Sequence, residues 1–391
     1  MVGAGIGRGQ SWLSTLTKLT ERSDLYELCA FSEALPDRTA QNEKRWHVPG
    51  YTDIRAMLER ARPDVVLNGA PSDSNSMVLG LCAPRGVHVL TEIPIAPTLR
   101  IADWMMETAD RYGVKLEVTE QVYLWPREQL KRLIRDAGLI GEIVHARLWY
   151  ANKADYHGLN GVRMLIGREA RRVLGFGGRV PVPPFQGYEG DLVTQDFWDA
   201  AAIEFEGGLT CLFEDPPRGR MSARWDVEGT KGQLVGSDLY IGTREAESQH
   251  FPFVAEYQEV DGRRAFESVR VDTDPAIVFR NPHRSLGADE EDEVARMELL
   301  VGFHRAVTGG GEPAYGPSNA RKDLELCYAI RESARRGNVW LDLPLLAPTA
   351  LEERLEQAFV AVYGYDPEDA EDLAGVRIPR AGVRWRVAGL D

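Results

Sequence analysis

Over its first 120 residues, runs of strand length alternate with segments of helical periodicity, and this alternation constrains the fold more than any other feature of the chain. Met1-Val2, Glu27–Glu33, the start of Pro63–Pro71, Val87–Leu90 and Val114–Thr119 read as strands. Helical spacing follows Gly9 through Trp12, Leu13, Leu16 and Leu19, and further helices are predicted near Ser74–Arg85 and Leu99–Tyr112. Strands and helices in this order imply right-handed parallel crossovers and an α/β, doubly wound parallel sheet. Ligands of such sheets lie beyond the carboxyl ends of the strands, which puts Gly5, Pro71, Glu92 and Glu120 on one rim. The first strand is short: a typical strand has about 5 residues, whereas only Met1 and Val2 precede Gly3. Either that strand is truncated or the native start lies upstream of Met1.

The turn Gly3-Ala4-Gly5-Ile6-Gly7-Arg8-Gly9 opens the first helix. Backbone N–H groups of Gly3, Gly5, Ile6 and Gly7 approach a pyrophosphate there, at the positive end of the helix dipole. Read as G-x-G-x-x-G, the third position falls on Arg8, and the glycine arrives one residue late at Gly9. Glu33 closes the Glu27–Glu33 strand, where a carboxylate accepts hydrogen bonds from adenosine ribose hydroxyls and repels a 2′-phosphate. Ala34 follows, with no neighbouring arginine, so NAD is expected ahead of NADP.

The stretch Gly86-Val87-His88-Val89-Leu90-Thr91-Glu92-Ile93-Pro94-Ile95-Ala96-Pro97-Thr98 resembles the Gly-x-His-Val-x-x-Glu-Lys-Pro-x-Ala segment of the Gfo/Idh/MocA family of nicotinamide-dependent sugar and cyclitol oxidoreductases. Where that family has a lysine steering the substrate hydroxyl, this chain has Ile93, whose side chain neither donates nor accepts a hydrogen bond. Residues 153–167 are similar to the family's helix bearing Asp-x-x-x-His-x-x-Asp and a Leu-Gly turn. The histidine is kept as His157, while Lys153 and Asn160 stand at the two carboxylate positions.

The resemblance spans about residues 1–345. It implies a Rossmann-type NAD-binding domain over 1–122, then an α+β substrate and oligomerisation domain over 123–345 with an open, mainly antiparallel sheet. Residues 346–391 are a C-terminal extension with one helix near Ala350–Tyr363. Residue patterns agree for the second half: Ile143–Tyr150, Ala200–Phe205, Leu209–Phe213 and Gln233–Tyr240 read as strands, with Glu206-Gly207-Gly208 as a hairpin turn. Helices are predicted from Pro126 to about Ala137, near Asp289–Thr308 and near Ser318–Arg336. By resemblance Ala70, Pro71, Glu92, Ile93 and Pro94 join the cofactor site, with a peptide before Pro94 that is often cis in the family and Ile93 beside the nicotinamide.

Hydride transfer from an alcohol needs a base within reach of the hydroxyl proton, and an imidazole titrates in the right range. His157 is the expected base, Lys153 is placed to supply the cation lost at Ile93, and Tyr156 is the neighbouring acid candidate. Glu120, Gln121 and Tyr123 follow the last rim strand, and with Asn160 and Arg163 they form the expected substrate-binding set. The expected function is therefore NAD-dependent oxidation or reduction at a secondary hydroxyl of a sugar, glycoside or cyclitol. The alternatives are a redox-neutral, NAD-dependent glycoside-cleaving enzyme and a non-catalytic NAD-binding regulator.

A net charge of −14 argues against a nucleic-acid partner. No window is apolar and long enough to span a membrane, and no secretory signal is expected. Cys29, Cys82, Cys211 and Cys327 are scattered without a C-x-x-C pair, which fits reduced thiols and a cytoplasmic location. His47, His88, His145, His250, His283 and His304 show no H-x-x-x-H spacing, so no metal is expected. By resemblance the protein is a homo-oligomer, dimer or tetramer.

Overall fold

The computed structural model describes residues 1–5, 8–149, 155–186, 192–217, 224–242, 244, 247–379 and 382–383. The chain divides into two compact units: Met1–Glu120 with Leu299–Leu324 and Ala350–Asp391, and Gln121–Glu298 with Glu325–Thr349.

In the first unit, α1 (Arg8–Arg22) buries the stripe Trp12, Leu13, Leu16 and Leu19. It is followed by β1 (Phe31–Ser32), α2 (Pro36–Trp46), β2 (Gly50–Tyr51), α3 (Ile54–Ala61), β3 (Val65–Asn68), α4 (Asn75–Cys82), β4 (His88–Thr91), α5 (Leu99–Tyr112) and β5 (Leu116–Val118). Local chemistry sets the helix ends. Pro36 starts α2, the Asp53 carboxylate caps α3 through the Arg55 N–H, and the Thr98 hydroxyl caps α5, which stops at Gly113 with φ +65°.

All strand pairs of this unit are parallel. Val2 bridges Ser32 on one side and Asn68 on the other, so the two parts of the sheet are joined through it. The spatial order is β2, β1, Val2, β3, β4, β5, which in chain order is 3-2-1-4-5-6, the arrangement of dinucleotide-binding sheets. The short first strand thus fills the centre: Val2 N–H donates to Leu67 O, and Gly3 N–H to Ser32 O. The strand expected over Glu27–Glu33 is narrowed to Phe31–Ser32.

The second unit begins with a turn at Val122–Leu124 and α6 (Pro126–Asp136), then β6 (Ile143–Trp149) and α7 (Asp155–Ile166). Next come β7 (Ala170–Gln186), β8 (Leu192–Phe205), β9 (Thr210–Asp215), β10 (Arg224–Gly229), β11 (Gly232–Val235), β12 (Asp238–Ile241) and β13 (Gln249–Pro252). With β17 (Leu341–Asp342) these strands build a nine-stranded sheet in the order β13-β12-β11-β10-β6-β9-β8-β7-β17, antiparallel except between β6 and β9. The segment read as one strand over Gln233–Tyr240 is a hairpin, broken by Gly236 with φ +59°. A separate three-stranded antiparallel sheet contains β14 (Val254–Val260), β15 (Arg263–Val271) and β16 (Ile277–Arg280).

Alternation gives the large sheet two different faces. Val173, Ile203, Cys211 and Ala146 lie side by side and are buried. The opposite face carries the row Leu174, Ala202, Leu212, Arg147 and the row Phe176, Ala200, Glu214, Trp149. Leu212 and Phe176 are exposed there.

Helices α8 (Glu291–Gly309) and α9 (Gly316–Arg335) each cross from one unit to the other along the chain. Helices α10 (Ala350–Tyr363) and α11 (Ala370–Leu373) return to the first unit. There Glu352 accepts the Leu99 N–H at 2.9 Å, and Arg100 pairs with Glu356 at 2.8 Å. The buried Asp73 carboxylate receives the Tyr363 hydroxyl and the Val383 N–H, both at 2.7 Å. Among the described residues no helix is long and apolar enough to cross a membrane, and no group of His, Cys, Asp and Glu is arranged to hold a metal ion.

Candidate cofactor and substrate sites

The glycines of the first turn are required by close packing. Gly3 has φ +74°, and a Cβ on it would sit 2.4 Å from the Ala70 nitrogen. A Cβ on Gly9 would sit 2.2 Å from the Gly3 carbonyl oxygen, so the late glycine is the one that lets α1 approach the sheet. Arg8 is the first residue of α1. Its Nε lies 3.2 Å from the Glu92 carboxylate, which also accepts the Trp12 indole N–H at 2.6 Å. Glu92 is thereby bound to the glycine turn and to α1. Ile6 and Gly7 lie outside the described residues.

Glu33 follows β1 and is buried, its backbone carbonyl accepting the Thr39 hydroxyl at 2.8 Å. Its carboxylate faces Gly5: a Cβ there would stand 3.2 Å from Glu33 Oε2 and 3.5 Å from Arg38 Nη1. An arginine therefore reaches the same point of the glycine turn as the acid. Ala34 and its immediate neighbours do not reveal it, because Arg38 comes round on the first turn of α2.

A second network fixes the rest of the rim. Asn68, the last residue of β3, accepts the Ala70 N–H and donates to Ser74 and Asn75, which shapes the turn at Gly69, Ala70 and Pro71. Asn75 Nδ2 in turn donates to the carbonyls of Glu92 (2.8 Å), Pro94 (3.0 Å) and Ile95 (3.1 Å). The Ile93–Pro94 peptide is cis, and Ile93 is half-buried. Neither asparagine stands out in the sequence, since each acts through backbone groups distant along the chain. Glu120 is buried at the end of this unit, its N–H donating to Val118 O at 2.7 Å.

In the second unit, α7 packs on the Val122–Leu124 turn, α6, β6 and β10. It carries Tyr156, Asn160 and Arg163 as one buried stripe at i, i+4, i+7, with His157 half-buried beside it. Arg163 lies 4.0 Å from Glu169. Gly161 lets the helix rest on the Trp225 indole, where a Cβ would stand 2.6 Å from the ring. Trp225 is held from below by Lys131 and Glu128, a buried pair at 2.9 Å. Lys153 lies outside the described residues.

The Val122–Leu124 turn before α6, which carries Tyr123, packs against α7, and Gln121 immediately precedes it. Gln121 donates to Asp292 at 2.8 Å, as does the Trp125 indole at 3.0 Å, while Gln121 Oε1 is buried with no partner among the described residues. Arg132 donates to the Tyr123 carbonyl at 2.6 Å and lies over its ring; burial pulls its pKa below the ordinary arginine value. Nothing local in the sequence marks Arg132 or Asp292, because each orients a turn elsewhere in the chain.

The first unit thus offers glycine backbone, an acid and a guanidinium at one end of a parallel sheet, which fits a dinucleotide. Residues 1–120 match the family model described as the oxidoreductase family, NAD-binding Rossmann fold (GFO_IDH_MocA). Among solved structures, the chain is similar to levoglucosan dehydrogenase in complex with NADH and levoglucosan, at 18% identity and TM-score 0.66, over 88% of this chain and 98% of that one. It is similar to an NAD-binding oxidoreductase from Klebsiella pneumoniae, at 18% identity and TM-score 0.66, over 88% and 98% of the two chains. It is also similar to an oxidoreductase from Agrobacterium radiobacter in complex with NAD+, L-tartaric acid and magnesium, at 16% identity and TM-score 0.64, over 87% and 96%. At such identities the likeness speaks for the fold. No curated protein matches the chain significantly. The first 120 residues thus carry the NAD-binding Rossmann fold that the Gfo/Idh/MocA oxidoreductase family model describes.

Proposed function

We propose that the protein is an NAD-dependent oxidoreductase acting on a secondary hydroxyl of a sugar, glycoside or cyclitol. The observation that carries this reading is the convergence of the Gly3–Gly5 turn, Glu33 and the Glu92–Pro94 segment on the carboxyl rim of a 3-2-1-4-5-6 sheet. Gly3 and Gly5 would present backbone to the pyrophosphate, Glu33 would accept the ribose hydroxyls, and Ala70, Pro71, Ile93 and Pro94 would line the nicotinamide end. When bound, NAD supplies two-electron exchange with the carbinol carbon.

The chain's own part is proton transfer and orientation. His157 takes the hydroxyl proton during oxidation and returns it during reduction. Gln121, Asn160 and Tyr123 orient the ring, and Gln121 Oε1 is a buried acceptor suited to a substrate hydroxyl. Lys153, Tyr156, Glu120 and Arg163 complete the proposed set. Ile93 closes the nicotinamide end against water and leaves orientation to these residues. The proposal includes a homo-oligomer, for which the open face of the large sheet speaks: Leu212 is 44% and Phe176 39% exposed.

The test is incubation with NAD and a panel of sugars, glycosides and cyclitols, following NADH absorbance and product release together. Net NADH, abolished in His157→Ala with NAD affinity unchanged, is the expected result. Glycoside cleavage without net NADH would replace the proposal by a redox-neutral lyase. NAD binding with no turnover of either kind would make the protein a regulator.

A further inference from the structure

We propose that Arg38 is a selectivity residue at the adenosine end of the cofactor site, and that through it the protein binds the 2′-phosphorylated dinucleotide NADP as well as NAD. This rests on the dinucleotide reading above. Glu33 and Arg38 reach the same backbone point, Gly5, from the end of β1 and the first turn of α2. Glu33 is committed, its Oε1 taking the Leu35 N–H at 3.3 Å, with the Thr39 hydroxyl holding its main chain. Arg38 is not committed. It is half-buried, and among the described residues no hydrogen bond, ion pair or ring contact occupies its guanidinium.

A guanidinium held at a glycine turn without an acidic partner is built to receive an anion, since its planar fork matches phosphate oxygens in pairs. A 2′-hydroxyl needs only an acceptor, which Glu33 provides. A 2′-phosphate beside Glu33 alone would meet like charge and be excluded. With Arg38 at the same point the two fixed charges cancel, and the phosphate gains charge-assisted hydrogen bonds. Asp37, also on the first turn of α2, is exposed and stays solvated.

The experiment titrates the full chain with NADH and with NADPH, following tryptophan fluorescence, for wild type, Arg38→Ala and Glu33→Gln. The wild type is expected to bind NADPH within about 30-fold of NADH, and Arg38→Ala to lose about 10- to 100-fold in NADPH affinity with NADH within about 3-fold. Glu33→Gln should narrow the gap by strengthening NADPH and weakening NADH. NADH binding kept within about 3-fold also shows that Arg38→Ala folds, and an unchanged Tm does so for Glu33→Gln. NADH binding with no NADPH binding in the wild type overturns the proposal, as does an Arg38→Ala loss that is equal for both dinucleotides. Failure of both dinucleotides to bind the wild type would overturn the cofactor reading itself.

Discussion

The Trp12 indole N–H donates to the Glu92 carboxylate at 2.6 Å, across 80 residues of chain, and the same oxygen receives Arg8. One carboxylate thus ties the first helix to the segment that follows β4. In a chain without the family lysine, the acid of the Glu-x-Pro segment faces the glycine turn.

Trp12→Phe keeps the packing and removes the donor. A lost hydrogen bond to a buried charged group costs about 1–3 kcal/mol, and urea unfolding should show that loss together with weaker NAD binding. Wild-type stability in the variant would mean the bond is incidental.

Asn75→Ala removes the side chain that holds three carbonyls of the Glu92–Ile95 segment. The expected destabilisation is about 2–3 kcal/mol, since buried acceptors are left without donors. The cofactor Kd should rise as well. An effect on stability alone would separate the strap from cofactor binding.

Glu117 on β5 accepts the N–H groups of Val118 and Gly316, yet burial raises its pKa from 4.5 to about 7. A folded-state pKa above the unfolded one means its contribution is complete below about pH 4.5 and is lost as pH rises through 7. The wild type should lose on the order of 3 kcal/mol across that window relative to Glu117→Gln. Parallel pH–stability curves for the two proteins would contradict this.

Gly161→Ala sets helix propensity against space. Alanine gains up to about 1 kcal/mol in a helix, whereas overpacking costs about 1–3 kcal/mol. With the Trp225 ring 2.6 Å from the new Cβ, the clash should prevail. The expected readout is a lower Tm with altered tryptophan fluorescence; a raised Tm would show that α7 shifts freely.

Leu212→Lys places a charge on the open face of the nine-stranded sheet. If that face meets a second copy, light scattering should report a smaller assembly with an intact fold. An unchanged mass would move the contact elsewhere.

The parts of the fold legible from sequence were those whose burial is periodic. Leu99–Tyr112 and Ala350–Tyr363 run as helices over the predicted spans, and β3, β4 and β5 fall within the predicted apolar runs. Strand β7 was not legible, because Gly175, Gly177, Gly178, Pro181, Pro183 and Pro184 break its alternation while thirteen pairings with β8 hold it extended. Gly175 is there for contact, since a Cβ would meet the Ile330 carbonyl at 1.9 Å. At the rim, glycines and Glu33 were visible through residue type and spacing. Arg38, Asn75 and Trp12 act across the tertiary structure, and no local pattern announces them.

The first unit is assembled from three stretches of chain, the last beginning at Ala350. A ribosome delivers its parallel sheet about 240 residues before Tyr363 and Val383, the donors that meet buried Asp73. The first unit is therefore completed only after the second has been made, and nascent chains halted before residue 350 should be conspicuously sensitive to protease at α4.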